Sequence, residues 1–327
     1  MRAVLHDLPP VDAVGHRVVH GGATLREAVV LDQRTRQLIA DLTELAPLHN
    51  PAALAGIDAA MTALPGLPQV AAFDTAFHAT IPEAAAVYPI PWDWTQRWGL
   101  RRFGFHGLSV QYAVRRSREL LGALPRCLVV CHLGAGCSVT AVLEGRSVDT
   151  SMGFTPLEGL MMARRCGSVD PGLLLYLLKH AGLELADVDR GFNEDSGLVG
   201  VSGVSADWRA VEAAAAAGNA RAELARGIFV HRLVAAVGAM AATLGGLGAL
   251  VFTGGIGENS AEVRQAVAAG LRFAGVRLAE STEVTGEGDR DVAATDSSVR
   301  VLVVGAREDL TVLAEVRRLV LSKGESK

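Results

Sequence analysis

The stretch "PQVAAFDTAFHATIP", residues 68–82, ends an apolar run on one carboxylate, that of Asp74. The segment "PQVAAF" has the composition of a buried strand, and His78 follows the acid four residues later. Because Asp is common in turns and caps, an ordinary turn is one interpretation of Asp74. The other interpretation is a catalytic carboxylate at the rim of a sheet, and the rest of the chain bears on the choice.

Two segments upstream define the surroundings of this strand. "AVGHRVVHGG", residues 13–22, reads as a strand that ends in two glycines. "PAALAGIDAAMTAL", residues 51–64, has helical spacing, with Asn50 as a candidate N-cap and Pro51 at the first helical position. Strand, helix and strand in this order predict a parallel βαβ unit.

The downstream half alternates strands with helices. "CLVVCHLGAGCSVTAVLEGRSVDTSMG", residues 127–153, predicts an antiparallel meander with a tight turn at Glu144 and Gly145. Residues 249–271 read as a strand, a glycine loop and a helix, and residues 299–321 repeat a strand and a helix. The chain is therefore expected to be an α/β protein.

Length and composition narrow the class of protein. The 327 residues suffice for two domains, and 50% hydrophobic with 20% charged residues is typical of a globular protein. A net charge of -4 without a basic stripe argues against a nucleic-acid partner. An aromatic content of 5% argues against a platform for stacking bases.

The cysteines and the apolar segments bear on the compartment. Four cysteines are too few for a disulfide scaffold and lack the spacing of a metal site, so buried thiols in a reducing cytosol are expected. The start has no apolar core of signal-peptide length. The uncharged residues 233–252 predict a buried helix and strand rather than a membrane span. We therefore expect a soluble, cytoplasmic protein.

Two glycine-rich turns, "CHLGAGCS" and "FTGGIGENS", follow apparent buried strands. Glycine lets backbone N–H groups approach a phosphate closely, so both turns are candidate phosphate loops. The chain has no Walker motif and no dinucleotide-binding fingerprint. It also lacks the nucleophile elbow of esterases and the His-Glu-x-x-His of zinc proteases, which lowers support for those classes.

Longer motifs occur in a fixed order along the chain: "HRVVHGG", "PLHNP", "FDTAFHATIP", "FGFHGLS", "CHLGAGCSVTAV", "DTSMGFTPLEGL", "GVSADWR" and "FTGGIGENS". Together they resemble the acetate kinase family, within the superfamily of sugar kinases, Hsp70 and actin. The resemblance extends from about Ala13 to the C-terminal helix. It implies two α/β domains with the actin-like ATPase fold and a cleft between them, one of residues 1–76 plus 308–327 and one of residues 77–307.

The resemblance also implies an activity, namely reversible phosphoryl transfer between ATP and a short-chain carboxylate with Mg²⁺. Acetate is the expected acceptor. Propionate or butyrate remains an alternative, because a pocket separates substrates that differ by one methylene by about 1–3 kcal/mol. A non-catalytic remnant that still binds nucleotide is the alternative from another class. A homodimer is implied by the resemblance as well.

Motif matching assigns roles near the chemistry. The resemblance makes Asp74 the catalytic aspartate, and Arg17 and Arg165 the ligands of the carboxylate and the phosphoryl group. His106 is expected to stabilise the transition state, and His49 to contact the phosphoryl group. These roles suit the chemistry, because two anions must meet and arginine binds carboxylate or phosphate through a planar fork. The functional interpretation of Asp74 is therefore favoured over an ordinary turn.

A second set of matches concerns the nucleotide and the metal. The resemblance implies that "HLGAG" is the phosphate loop, "DWR" the adenosine site and "GIGEN" the nucleotide loop, and that the glutamate of "RED", with Asp309 beside it, is the magnesium ligand. The residues are His132, Leu133, Gly134, Ala135 and Gly136; Asp207, Trp208 and Arg209; Gly255, Ile256, Gly257, Glu258 and Asn259; and Glu308.

The sequence departs from the family pattern at four places, two of which are Ser168 in place of a usual Asp and "GARED" in place of a Thr-Asn-Glu-Glu pattern at Glu308. Ala135 stands where the family usually has Asn, which removes one side-chain donor from the phosphate loop. Family members also begin with a strand and an "NAGSSSLK"-like phosphate loop, and this sequence begins after that point. We therefore expect a truncated first domain and slow phosphoryl transfer, because the missing loop supplies donors near the phosphates.

Overall fold

The computed structural model describes residues 11–43, 49–280 and 288–321. The chain forms two compact units. The first unit extends to Tyr112 and resumes at Arg307, and the second comprises Ala113–Ala306. The compact units thus divide after Tyr112, whereas the motif pattern places a domain boundary after residue 76.

The strands form one sheet in each unit. The first unit has a three-stranded sheet in the order β1-β3-β2, and the second has a six-stranded sheet in the order β6-β5-β4-β7-β9-β8. The strands are β1 Val14–Val18, β2 Val29–Val30, β3 Gln69–Phe73, β4 Cys127–Leu133, β5 Cys137–Leu143, β6 Arg146–Thr150, β7 Ala249–Thr253, β8 Arg290–Asp291 and β9 Arg300–Val303.

Helices flank these strands in the chain order expected of an α/β protein. They are α1 Gln33–Asp41, α2 Asn50–Ala63, α3 Glu83–Ala86, α4 Trp92–Trp98, α5 Gly107–Leu121, α6 Pro171–His180, α7 Leu185–Asn193, α8 Gly197–Ser202, α9 Trp208–Ala216, α10 Ala220–Leu244, α11 Gly254–Asn259, α12 Ala261–Gly270 and α13 Glu308–Leu321. Short 3₁₀ turns occupy Ala76–Thr80 and Arg272–Ala274.

The first sheet confirms the predicted parallel pair. β1 and β3 run parallel, with Val18 opposite Phe73, and β2 joins β3 antiparallel. Every residue of β3 is buried, because both of its faces are covered. Ala71 and Phe73 belong to one apolar cluster, whereas Val70 and Ala72 belong to another that includes Val316 of α13. Burial on both faces explains why this strand is a continuous apolar run.

Asn50 does not have its predicted role. The N-cap of α2 is His49, and the helix begins at Asn50. The Asn50 amide is fully buried, accepts a hydrogen bond from the His20 backbone N–H and donates one to the His20 carbonyl oxygen, each at 3.3 Å. The predicted cap is therefore wrong, and the side chain instead ties the start of α2 to the turn after β1.

The second sheet is mixed. β4, β5 and β6 form the predicted antiparallel meander, with Glu144 and Gly145 at the tight turn. β4, β7 and β9 run parallel to one another in the middle of the sheet. The glycine loop predicted after β7 is instead the short helix α11, so this detail of the prediction is wrong.

Among the described residues, one helix, α10, is both long enough and apolar enough to cross a membrane, judged by length and composition alone. It packs against β4, β5 and β6 of the second sheet. Phe229, Leu233 and Val237 are buried on one side of the helix, as expected for a helix that covers a sheet. The sequence prediction of a buried helix over its second half agrees with this packing.

Candidate active site

Arg17 and Asp74 form an ion pair at the ends of two adjacent parallel strands. Arg17 lies on β1, and Asp74 directly follows β3, where its backbone N–H donates to the Val18 carbonyl oxygen at 3.0 Å. Arg17 Nε donates to Asp74 Oδ1 at 3.0 Å, and Nη2 donates to Oδ2 at 2.7 Å. This is the bidentate geometry that makes arginine–carboxylate pairs strong and specific.

The environment of the pair shifts both pKa values. Burial raises the pKa of the Asp74 carboxyl, while the hydrogen bonds from Arg17 and the nearby charge of His49 oppose that shift. The hydrogen bonds to Asp74 raise the pKa of the Arg17 guanidinium, and Glu308 adds to this effect. The sheet and two helix starts, those of α2 and α13, therefore bring four of the predicted residues into electrostatic contact.

His106 stands next to this pair through a close backbone approach. The N–H of Gly107, the first residue of α5, donates to the Asp74 carbonyl oxygen at 2.8 Å. A Cβ on Gly107 would lie 2.2 Å from that oxygen, so the approach requires glycine here. His106 itself has a φ of 60°, which is uncommon for a residue other than glycine. Such conformations concentrate at functional sites.

Buried polar groups that sequence reasoning missed fix the "HGG" turn beside Asp74. The Gly21 N–H donates to Thr75 Oγ1 at 3.1 Å, and the Gly22 N–H donates to His20 Nδ1 at 2.9 Å. The His20 ring packs edge-on against Phe103. The sequence signal for these hydrogen bonds was a polar residue inside an apolar segment, because a buried polar side chain is almost always hydrogen-bonded.

A cavity of about 610 Å³ lies in the second unit, at the carboxyl ends of the parallel strands β4 and β7. Ligands of open α/β sheets bind at such strand ends. The lining combines the two glycine turns with the start of α9: Gly134, Ala135, Ala206, Asp207, Trp208, Arg209, Glu212, Gly255, Ile256, Asn259 and Ser260. Eight of these were predicted to bind nucleotide, and Ala206, Glu212 and Ser260 were not.

Glycine brings the two turns together. Gly254 directly follows β7 and has a φ of 77°, in the left-handed region. A Cβ on Gly254 would lie 2.8 Å from the carbonyl oxygen of Leu133, the last residue of β4. The end of one strand and the start of α11 can therefore approach closely, which leaves backbone groups at the cavity wall.

The opposite wall belongs to α9. Asp207 caps this helix by accepting from the Arg209 N–H at 3.0 Å, and it also pairs with the Arg209 guanidinium. These bonds lower the pKa of the Asp207 carboxyl. Trp208 is buried, donates from Nε1 to Ser260 Oγ at 3.2 Å and packs against Phe229. The α9 wall is thus fixed to the start of α12.

The other predicted nucleotide residues support the cavity without lining it. His132 and Leu133 belong to β4, and Gly136 lies in the turn between β4 and β5. Gly257 and Glu258 belong to α11, and the Glu258 carboxylate accepts from the Ala306 N–H at 3.0 Å. Glu258 therefore holds the chain segment that leads to α13.

Arg165 lies in the second unit, with the cavity, and not in the first-unit cluster of Arg17 and Asp74. Its Nη1 donates to the Pro156 carbonyl oxygen at 2.6 Å. Burial lowers the pKa of its guanidinium. The N–H groups of Ser196 and Leu198, at the start of α8, donate to the carbonyl oxygens at positions 164 and 162 and hold its loop.

Comparison with known proteins identifies the family. The model of the acetokinase family matches residues 1–314 of this chain. The chain belongs to the acetokinase family. An acetate kinase of Nostoc punctiforme is 51% identical over 308 residues, which is 94% of this chain and 76% of that protein. An acetate kinase of Acaryochloris marina is 52% identical over 299 residues, covering 91% of this chain and 75% of that protein.

Solved structures agree with this membership of the acetokinase family. The crystal structure of Porphyromonas gingivalis acetate kinase matches with a TM-score of 0.90 and 40% identity, over 95% of this chain and 78% of that one. A propionate kinase from Francisella tularensis matches with a TM-score of 0.90 and 38% identity, over 94% and 79%. The predicted resemblance, the actin-like α/β fold and the phosphotransferase class with a carboxyl acceptor are confirmed.

An acetokinase-type magnesium site has one candidate ligand here. Among residues 11–43, 49–280 and 288–321, no three His, Cys, Asp or Glu side chains group as a metal site. Magnesium in kinases usually keeps several waters and is bound by one or two carboxylates together with substrate phosphates. Glu308, at the start of α13 and in electrostatic contact with Arg17, fits that kind of site and not an all-protein cage.

Proposed function

We propose that this chain catalyses reversible phosphoryl transfer between ATP and acetate, producing acetyl phosphate and ADP. The observation that carries the proposal is the cavity of about 610 Å³ between the glycine turns and α9, in a chain of the acetokinase family. Eight of the motif residues predicted for adenosine and for phosphates line this cavity. A nucleotide is the ligand that their chemistry suits.

The nucleotide side of the proposal assigns roles by position. Ala135 and Gly255 follow the strand ends, so their backbone N–H groups suit the phosphates, whereas the Gly134 N–H already donates to the Gly136 carbonyl oxygen at 3.0 Å and shapes the turn. Arg209 and Trp208, together with Ile256, supply a cationic and apolar wall for the base and sugar. Asp207 fixes the direction of Arg209 by its paired hydrogen bonds.

Three cationic or donor groups are assigned to the acceptor and the phosphoryl group by their motifs. Arg17 offers a half-exposed guanidinium for the acetate carboxylate, and we assign Arg165 to the transferring phosphoryl group. His106 is assigned to an oxygen that gains charge in the transition state. These groups offset the repulsion between two anions, which is the main obstacle to this transfer. His49 is proposed as an auxiliary phosphoryl contact.

We propose that Glu308 binds Mg²⁺ directly or through water. When bound, the ion neutralises charge on the β- and γ-phosphates. The carboxylate of Glu308 can hold it at the start of α13, where the first-turn acids Glu308 and Asp309 suit the positive end of the helix dipole. We also propose a cytoplasmic homodimer, on the family resemblance and on the free cysteines of the second unit.

The natural acceptor is a second part of the proposal. Acetate is favoured because the chain is about half identical to proteins named acetate kinase. Propionate remains the second candidate, because a propionate kinase structure matches equally well by TM-score. The difference between these acceptors is one methylene, worth about 1–3 kcal/mol in a fitted pocket.

The test is trapping of the acyl phosphate with hydroxylamine. The full chain is incubated with ATP, Mg²⁺ and acetate, propionate or butyrate, and acyl hydroxamate is measured. Hydroxamate that requires ATP and is formed fastest from acetate supports the proposal. Faster formation from propionate transfers the assignment to that acceptor. No hydroxamate from any acceptor, at a protein concentration where calorimetry shows ADP binding, supports the nucleotide-binding remnant instead.

A further inference from the structure

We propose that Asp74 is a positioning residue that acts through Arg17, and that it takes no proton during the reaction. It holds one edge of the guanidinium so that the other edge receives the acceptor carboxylate. The inference rests on the proposed function, because it concerns the acceptor of that reaction. It departs from the sequence-based expectation that Asp74 takes part in the chemistry directly.

The chemistry of the acceptor removes the need for a base. A carboxylic acid with a pKa near that of a free glutamate, about 4.3, is ionised about 500 to 1 at pH 7. Its oxygen forms the new bond to the γ-phosphorus, the bond from that phosphorus to the bridging oxygen of ATP breaks, and the electron pair stays on ADP. No proton leaves the acceptor, so a buried carboxylate has none to accept.

The geometry of Asp74 matches an anchor. Both of its oxygens accept hydrogen bonds from Arg17, and its side chain is 2% exposed. Its backbone is fixed on both sides, by the bond to the Val18 carbonyl oxygen and by the bond from the Gly107 N–H. An acid enclosed in this way is poorly placed to contact an incoming substrate.

Arg17, unlike Asp74, is accessible to a ligand. Its side chain is 44% exposed, and its hydrogen bonds to the described residues use Nε and Nη2. The Nη1 edge is therefore left for another partner, and two parallel N–H groups along one edge of a guanidinium suit a carboxylate. The structure thus offers an anchored arginine with one occupied and one open edge.

The energy balance favours this arrangement. Pairing with Asp74 partly neutralises Arg17 and weakens its attraction for an anion. Against this, a free arginine side chain loses rotamer entropy when it binds a ligand, and an anchored one has already lost most of it. Catalysis also depends on placement, since a misplacement of about 1 Å can cost about a hundredfold in rate. Orientation is therefore the larger gain.

The experiment is a double-mutant cycle in the full chain with Arg17→Gln, Asp74→Asn and the double variant. We measure kcat, the KM values for acetate and ATP, and binding of ¹³C-acetate by line broadening. Asp74→Asn should raise the acetate KM about tenfold or more and leave the ATP KM within about twofold. The double variant should lose no more activity than Arg17→Gln alone, because Asp74 acts only through Arg17.

Asp58→Asn is the matched control. Asp58 forms another bidentate arginine pair of the first unit, with Arg36 at 2.6 Å, and both partners are partly exposed. Its loss should leave both KM values unchanged. Because Arg17→Gln leaves a buried carboxylate without its cation, that variant is expected to be less stable than the double variant. Urea unfolding of each protein checks this order.

The outcomes separate the inference from the proposed function. Losses that multiply in the double variant show that Asp74 acts independently, and they overturn the inference while the function stands. Acetate binding that requires Arg17 and weakens in Asp74→Asn, without turnover in the parent chain, supports the inference and sinks the function. Acetate binding that is unchanged in Arg17→Gln overturns the inference, whether or not the parent chain turns over.

Discussion

The N–H of Gly107 donates a hydrogen bond to the carbonyl oxygen of Asp74 at 2.8 Å, and this contact joins the start of α5 to the end of β3. It explains why the residue that follows His106 in "FGFHG" is a glycine. The close approach of the two backbones puts His106 beside the ion pair of Arg17 and Asp74.

Gly107→Ala should therefore damage the site. The added Cβ would lie 2.2 Å from the Asp74 carbonyl oxygen, so the start of α5 must move. Since a displacement of about 1 Å can cost a hundredfold, we expect kcat to fall about a hundredfold. Steady-state kinetics measures this fall. Gly238→Ala in α10 is the control, because its Cβ meets nothing within 4 Å and it should retain full activity.

Asp207→Ala should weaken nucleotide binding without unfolding the chain. Asp207 both caps α9 and orients Arg209 at the cavity wall, so its loss should leave the start of the helix and the guanidinium less well placed for the nucleotide. Calorimetry with ADP should show a Kd about tenfold higher. Asp187→Ala in α7 removes a comparable exposed pair, with Arg190, and should leave the Kd unchanged. Equal ADP affinity in the two variants would remove Asp207 from the nucleotide site.

Arg165→Lys should fail to support turnover. Lysine lacks the fork that binds a phosphoryl group through two bonds, and one lost preorganised donor typically costs about 10²–10³ in rate. The neighbouring Arg164→Lys is the control, because Arg164 is exposed and its hydrogen bond to the Glu194 carbonyl oxygen is long at 3.4 Å. If both variants turn over normally, Arg165 does not hold the phosphoryl group.

Stability should fall as the pH drops below neutral, because of His78. Burial lowers the pKa of this histidine to about 4, and its Nε2 lies 2.9 Å from the Phe105 carbonyl oxygen. The unfolded chain binds the proton near pH 6.5 and the folded chain near pH 4, so stability rises with pH across that window. From pH 7 to pH 5 the loss due to His78 is about 2 kcal/mol.

Urea unfolding at pH 7 and pH 5 tests this value. His78→Gln should reduce the difference in free energy of unfolding between the two pH values by about 2 kcal/mol. His231→Gln, at an exposed position on α10, is the control and should keep the original difference. An unchanged pH dependence in His78→Gln would show that His78 is not the titrating group.

The sequence predicted the parallel pair of β1 and β3 and the meander because their apolar runs and turns are local signals. It predicted eight lining residues of the cavity through the resemblance of its motifs to the acetate kinase family, and the glycine turns among those motifs also mark strand ends. It wrongly assigned Asn50 as an N-cap, because the same amide side chain can either cap a helix or form buried hydrogen bonds to a distant backbone. It missed Ser260 and Glu212, since contacts between distant elements leave no local pattern.

The central claim is that this chain moves a phosphoryl group between ATP and acetate, and ³¹P NMR in the reverse direction tests it most directly. The full chain is mixed with acetyl phosphate, ADP and Mg²⁺, and the spectra are followed over time. We predict that the acetyl phosphate resonance falls while the three resonances of ATP grow in equal proportion, and that Arg17→Gln slows this conversion severely. Acetyl phosphate that decays to inorganic phosphate at the rate seen without protein, with ADP unchanged, would contradict the claim.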